Sequence, residues 1–97
     1  MAIVHISRGG GMTREVYEQV TAKMGADQDP PAGLIVHTAG EADGEWQVVD
    51  VWESTDAKER FEQERLMPAI ESTVGAENME QGRPEMVEYE AHHIITP

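Results

Sequence analysis

Asp50 and the histidines are the residues of this chain best suited to chemistry. Asp50 lies in the run Val48–Trp52, where a carboxylate among apolar neighbours is costly unless a partner holds it. A histidine beside it would be oriented by the carboxylate, and such a pair can take a proton from an acidic carbon. We therefore predict His5, His37 and Asp50 as catalytic residues. The alternative is a structural ion pair of Asp50 with Arg8 or with a second subunit.

Aromatic side chains supply candidate contacts for a ligand. Tyr17 can donate a hydrogen bond to a ligand carbonyl, and Trp52 and Phe61 offer flat apolar surface. His92, close to the end of the sequence, completes the predicted substrate-binding set. The alternative for Trp52 and Tyr17 is packing in the core or in a subunit interface.

The histidine spacing and the lack of cysteine limit the kinds of site that this chain can form. No two of the four histidines have the i, i+4 spacing of a helical metal site, and the neighbours His92 and His93 would point to opposite faces of a strand. Cysteine is absent, which excludes disulfides, thiolate metal sites and cysteine nucleophiles. We expect no metal and no cofactor.

The charge of the chain limits its partners. Seven basic and 19 acidic side chains give a net charge of −12, so we expect no nucleic-acid partner and no anionic membrane surface. No hydrophobic run approaches the ~20 residues that span a bilayer, and the start of the sequence lacks a basic leader. We expect an acidic, cytoplasmic protein of one domain, residues 1–97.

Six segments are predicted in the order β-α-β-β-α-β. This is the ferredoxin-like arrangement of the α+β class. The predicted strands are Ala2–Ser7, Gly33–Ala39, Glu45–Glu53 and Glu85–Ile95, with a hairpin turn at Asp43-Gly44 between the second and the third.

The two predicted helices begin after the capping residues Thr13 and Ser54. Gly25 ends the first helix, and Pro68 ends or kinks the second. Loops are predicted at Ala26–Pro31 and Gly75–Pro84.

The second and third predicted strands are apolar on both faces. Trp46 and Val48 alternate with Val49 and Val51, so neither face of the sheet is suited to water. Two helices can cover only one face. A second copy of the chain is the simplest cover for the other, and the pattern therefore predicts a homodimer through the sheet face.

The stretch Val48–Ser54, the helix positions Ala57 and Phe61, and Arg65, Leu66 and Pro68 at the end of that helix carry a family resemblance. In these residues the chain resembles the dimeric α+β barrel superfamily, close to the antibiotic-biosynthesis-monooxygenase-like domains. The resemblance implies an antiparallel sheet with two helices on one face and a pocket between them. It also implies a small cofactor-independent monooxygenase or cyclase acting on an apolar, aromatic or polyketide-like molecule.

Several positions depart from that family's pattern. The Asn and Tyr used by cofactor-free monooxygenases correspond to Val48 and Lys58, and the Trp and His of haem-degrading members correspond to Phe61 and Glu71. The missing Asn and Tyr favour the alternative function, a non-catalytic ligand-binding or accessory homodimer, and without the His we expect no haem degradation by that mechanism. Haem or metal binding without turnover is a third, weaker interpretation.

Overall fold

The structure, a computed structural model, describes residues 2–25, 28–75 and 84–96 and contains one four-stranded sheet with helices on one face. The strand order is β2-β3-β1-β4, and each neighbouring pair is antiparallel. This confirms the ferredoxin-like α+β prediction. The elements are β1 (Ile3–Arg8), α1 (Arg14–Met24), β2 (Leu34–Ala42), β3 (Glu45–Trp52), α2 (Thr55–Phe61), a π-helical turn (Glu62–Leu66), α3 (Met67–Val74) and β4 (Glu85–Glu90).

Local sequence signals set the element boundaries. The Thr13 hydroxyl accepts a hydrogen bond from the Val16 N–H at 3.2 Å, and the Ser54 hydroxyl accepts one from the Ala57 N–H at 3.1 Å. Both residues therefore cap helices as predicted, because each satisfies a backbone donor that the first turn leaves unpaired. The β2–β3 hairpin turns at Asp43-Gly44 with φ of 55° and 79°, which is the pattern of a type I′ turn.

Pro68 changes the geometry of the second helical segment without ending it. The helix passes through the π-helical turn Glu62–Leu66 and then continues as α3. Proline has no N–H, and its ring clashes with the carbonyl four residues earlier, here that of Glu64. The wider π turn lies in this stretch, so the helix passes Pro68 with a change of geometry and does not end there.

The last strand is shorter than predicted. β4 ends at Glu90 instead of Ile95, so His92 and His93 lie beyond the strand and are exposed. The reason is where β1 begins. The Ala91 N–H donates to the Ala2 carbonyl at 2.8 Å, and beyond this point β4 has no residue of β1 left to pair with. The predicted loop Gly75–Pro84 falls mostly outside the described residues, as do positions 26 and 27 of the other loop.

Register and packing identify which sheet face meets the helices. Trp52 is 1% exposed and lies against Phe61 of α2, with ring centroids 5.2 Å apart. Because alternate residues share a face, Trp46, Val48 and Asp50 lie on the same helix-covered side as Trp52. The buried apolar core contains Ile3, Val4, Val20, Trp52 and Ala69. In the part of the chain that is described, no helix is long and apolar enough to cross a membrane.

Gly33 allows β2 to pass close to α2, and its replacement by alanine is expected to destabilise the protein. Its φ is +86°, and an added Cβ would lie 2.5 Å from the Ala57 Cβ. Left-handed backbone costs a non-glycine residue about 1–2 kcal/mol, and overpacking adds about 1–3 kcal/mol. We expect Gly33→Ala to lower the free energy of unfolding in urea by about 3 kcal/mol.

The control for this prediction is Gly44→Ala. Gly44 has a similar φ of +79°, but nothing lies within 4 Å of its added Cβ, so only the backbone cost applies. Adding Ala57→Gly to Gly33→Ala should recover the packing part of the loss. Equal losses for Gly33→Ala and Gly44→Ala would show that the contact with Ala57 is unimportant.

Candidate functional site

Three side chains form a hydrogen-bonded chain under the first helix. The Tyr17 hydroxyl from α1 lies 2.6 Å from His37 Nε2 on β2. On its other side, His37 Nδ1 contacts a carboxylate oxygen of Asp50 on β3. His37 and Asp50 are directly opposite each other in the β2–β3 register, so the sheet itself brings base and carboxylate together.

The hydrogen bonds assign the proton positions in this chain. An ionised carboxylate can only accept, so His37 Nδ1 carries the proton that is donated to Asp50. His37 Nε2 is then the acceptor, and the Tyr17 hydroxyl donates to it. In the neutral imidazole, the basic lone pair is then on the nitrogen that faces α1, and the carboxylate behind Nδ1 can stabilise an added proton.

The chain of three residues runs from solvent towards the interior. The His37 side chain is 38% exposed and that of Asp50 is 13% exposed. β2 is an edge strand, so a molecule can approach His37 from the side of the sheet. The base is reachable, whereas its orienting carboxylate is shielded.

Asp50 and His37 belong to a longer row that crosses the whole sheet. In the β2-β3-β1-β4 order, the row consists of His37, Asp50, His5 and Glu88, each the direct register partner of the next. The row is on the helix-covered face, because every second residue from Trp52 lies there. In the described residues, no group of three His, Asp or Glu side chains is placed to hold a metal ion.

Lys58 covers the β4 end of this row. Its ammonium lies 3.0 Å from Glu62 and 4.0 Å from Glu88. The residue is 7% exposed, which makes it the one charged residue counted as buried among the described positions. A buried ammonium needs such carboxylates, since taking it from water unpaired is very unfavourable.

The other predicted site residues occupy separate places. Phe61, the last residue of α2, packs on Trp52, and His92 lies in the exposed segment after β4. Arg8 does not pair with Asp50. Its guanidinium contacts Glu45 and lies 4.0 Å from Asp43 at the β2–β3 hairpin. The proposed Asp50–Arg8 ion pair was therefore wrong, because Arg8 is three residues along β1 from the position opposite Asp50.

The cavities along the described part of the chain include one at each end of α1. One of about 390 Å³ is lined by Trp46, whose ring lies 5.1 Å from that of Tyr17; the other, of about 460 Å³, lies between α1 and α3. Neither cavity is lined by His37 or Asp50. The first one adjoins the site through the Trp46–Tyr17 contact. Its lining is Thr13, Arg14, Glu15, Glu41, Gly44 and Trp46.

Sequence reasoning missed Lys58 and Glu88 as members of the site. The sequence did contain a signal for Lys58. It is three residues before Phe61, so the two share a helix face, and four residues before Glu62, which is the spacing of a helical ion pair. Glu88 had no comparable signal, since its place beside His5 depends on the pairing of the two chain-distant strands β1 and β4.

Comparison with known proteins identifies the fold. No family model matches the chain, and no curated protein matches it. Among solved structures, a Mycobacterium tuberculosis protein is similar with a TM-score of 0.71 and 12% identity, covering 99% of this chain and 100% of that one. SnoaB, a cofactor-independent oxygenase from Streptomyces nogalater, is similar with a TM-score of 0.63 and 18% identity over 99% and 98% of the two chains.

A third similar structure is a candidate antibiotic biosynthesis monooxygenase from Deinococcus radiodurans. Its TM-score is 0.65 and its identity 15%, with 100% of this chain and 98% of that chain covered. The chain therefore shares the fold of these proteins, a four-stranded antiparallel sheet with helices on one face. At these identities the likeness concerns the fold, and the function has to be argued from the site.

Proposed function

We propose that the protein is a small cofactor-independent enzyme of the monooxygenase or cyclase type. Its substrate is an apolar, aromatic or polyketide-like molecule with an acidic hydroxyl or an acidic C–H beside a carbonyl. The observation that carries the proposal is the Tyr17–His37–Asp50 hydrogen-bonded chain, in which the His37 side chain is more exposed than that of Asp50. The SnoaB likeness in fold agrees with it.

The proposed reaction begins with proton transfer to His37. A substrate hydroxyl or C–H takes the place of the Tyr17 hydroxyl at Nε2, and its proton passes to the imidazole. Asp50 stabilises the imidazolium that forms, and Tyr17 donates its hydrogen bond to the substrate anion instead. The arrangement stabilises charge only once the proton has moved, as catalysis requires.

The substrate anion then determines the product. In the monooxygenase reaction, the electron-rich carbon reduces dioxygen; one oxygen atom is retained as a new carbonyl, and the other leaves as water. In the cyclase reaction, the carbanion attacks a carbonyl of the same molecule. Neither reaction needs a group beyond the substrate, dioxygen and the protein's own acid and base.

The test is a turnover screen with anthrone-type tricyclic ketones and open-chain polyketide mimics. Oxygen uptake with a product one oxygen heavier and two hydrogens lighter identifies the monooxygenase. Conversion to a ring product without oxygen uptake identifies the cyclase. Absence of both for every compound, with purified folded protein, would contradict the proposal.

A non-catalytic ligand-binding or accessory homodimer is the alternative. The observation that favours it is that neither described cavity is lined by His37 or Asp50. Under this alternative, the same compounds would bind with micromolar or better affinity and be recovered unchanged.

We also propose that the protein is a homodimer through the open sheet face. The side chains exposed there include Val36 of β2 and Val87 and Tyr89 of β4, which are 46%, 58% and 52% exposed. Val49 and Val51 lie between them on the same face by register. A large exposed apolar patch marks an association site, and a second copy offers an identical apolar face across a two-fold axis.

Val87→Glu is expected to dissociate this dimer. The substitution puts a carboxylate on the apolar face twice, once from each subunit. We expect the apparent dissociation constant to rise at least about 100-fold, since burying an unpaired charge costs several kcal/mol. Light scattering coupled to size-exclusion chromatography measures the mass directly.

Met86→Glu is the matched control for the dimer prediction. Met86 precedes Val87 on the same strand, is 57% exposed, and points to the opposite face. It should leave the dimer intact. Equal dissociation by both variants would place the interface elsewhere, and a monomeric wild-type protein would overturn the dimer proposal.

A further inference from the structure

The second half of the cross-sheet row has the features of a binding position that the proton-transfer chain does not use. His5 lies between two carboxylates, opposite Asp50 of β3 on one side and Glu88 of β4 on the other. His5 Nδ1 is buried and has no hydrogen-bond partner in the described structure. A buried polar atom without a partner costs about 1–3 kcal/mol, so a group that binds it would recover free energy.

Lys58 lies at the same end of the row. It donates a hydrogen bond to Glu62 at 3.0 Å, but its 4.0 Å separation from Glu88 is too long for a second one. An ammonium has three donors. A ligand oxygen placed next to Glu88 can therefore receive a hydrogen bond from Lys58 while the Glu62 contact is kept.

We propose that Lys58 and His5 together hold an oxyanion of the bound substrate. This inference rests on the proposed function: when His37 takes the proton, negative charge develops on the substrate and is delocalised to an oxygen at the far end. Lys58 supplies a charged donor to that oxygen, and His5 supplies a second donor when its proton is on Nδ1. Glu62 positions the Lys58 ammonium through their i, i+4 pair.

The sheet fixes the distance between the two ends of the site. His37 and His5 are separated by two strand spacings, which is about 10 Å. Charge created at one end can reach the other only through a conjugated skeleton of that length. The proposal therefore requires a flat conjugated substrate whose acidic group and charge-bearing oxygen are at opposite ends.

Lys58 also offsets part of the negative charge at this end of the row. The carboxylates of Glu62 and Glu88 lie near Lys58. That of Asp50 lies opposite His5 in the same row. A bound anion without Lys58 would meet only negative charge. Lys58 is thus the group that makes this face acceptable for an anionic ligand.

The test uses alizarin, a flat hydroxyquinone whose absorbance changes when its phenol ionises. In the wild-type protein, the bound dye should ionise about one pH unit below the free dye, because a nearby cation favours the charged form. Lys58→Met should abolish this shift, Lys58→Arg should retain it, and His5→Gln should reduce it. Lys23→Met, which removes a lysine of α1 that bonds Ser72 away from the row, should leave it unchanged.

The expected kinetic effect is a decrease in kcat/KM of about tenfold to hundredfold for Lys58→Met, the range of one charge-assisted hydrogen bond. Circular dichroism and thermal unfolding verify that each variant folds. If Lys58→Met does not fold, the dye shift of His5→Gln tests the proposal instead. No binding of alizarin by the wild-type protein, or an ionisation shift that survives Lys58→Met, would overturn the oxyanion role.

The outcomes also separate this inference from the proposed function. Turnover that depends on Asp50, with kcat/KM and dye ionisation unaffected by Lys58→Met, leaves the proton-transfer function standing and removes the oxyanion role. A Lys58-dependent dye shift with no turnover of any compound shows an anion-binding site in a protein that is not an enzyme of the proposed type.

Discussion

Asp50→Asn should lower kcat on an active substrate by about 10²–10⁴-fold, the range that a positioned general base contributes. The substitution removes the charge that stabilises the His37 imidazolium. It also introduces an amide N–H that can donate to Nδ1, which would move the imidazole proton to Nε2 and block the basic position. KM should change far less, because Asp50 is shielded behind His37.

A matched control and a double variant sharpen the Asp50 prediction. Glu45→Gln removes another ion-paired carboxylate of β3, the one that contacts Arg8 at the hairpin, and should leave kcat within about twofold. His37→Gln should equal the Asp50→Asn loss, and the double variant should be little worse, because residues that act as one unit are not additive. Additive losses would show that the two side chains act separately.

Most of the fold follows from short-range signals in the sequence. Thr13 and Ser54 each place a capping hydroxyl where a helix begins, and Asp43-Gly44 supplies the two positive-φ residues of a tight hairpin. Those signals act between neighbours in the chain, so they can be recognised without the structure. The end of β4 could not be recognised in this way, because it depends on where β1 begins on the other side of the ladder.

The site was predictable in composition but not in pairing. The mid-strand position of Asp50 predicted a polar partner, yet His5 and His37 were equal candidates. The structure shows why: β3 lies between β1 and β2, so Asp50 has a histidine directly opposite it on both sides. Only the side-chain geometry distinguishes them, since His37 Nδ1 contacts the carboxylate and His5 Nδ1 has no partner.

Trp52→Ala is expected to have the largest effect on stability. The Trp52 side chain is fully buried, at 1% exposure, and it packs on Phe61 of α2. Truncating a buried tryptophan to alanine costs about 3–5 kcal/mol through lost burial and the cavity left behind. That is a large part of the ~5–15 kcal/mol that stabilises a typical domain, and it should lower Tm by about 15–30 °C.

Trp52→Phe separates packing from hydrogen bonding at the same position. The Trp52 Nε1–H is buried without a partner, so phenylalanine removes an unsatisfied donor while keeping a ring against Phe61. The two effects oppose each other, and we expect the free energy of unfolding in urea to fall by only about 1 kcal/mol. A loss as large as that of Trp52→Ala would mean that the indole N–H does have a partner in solution.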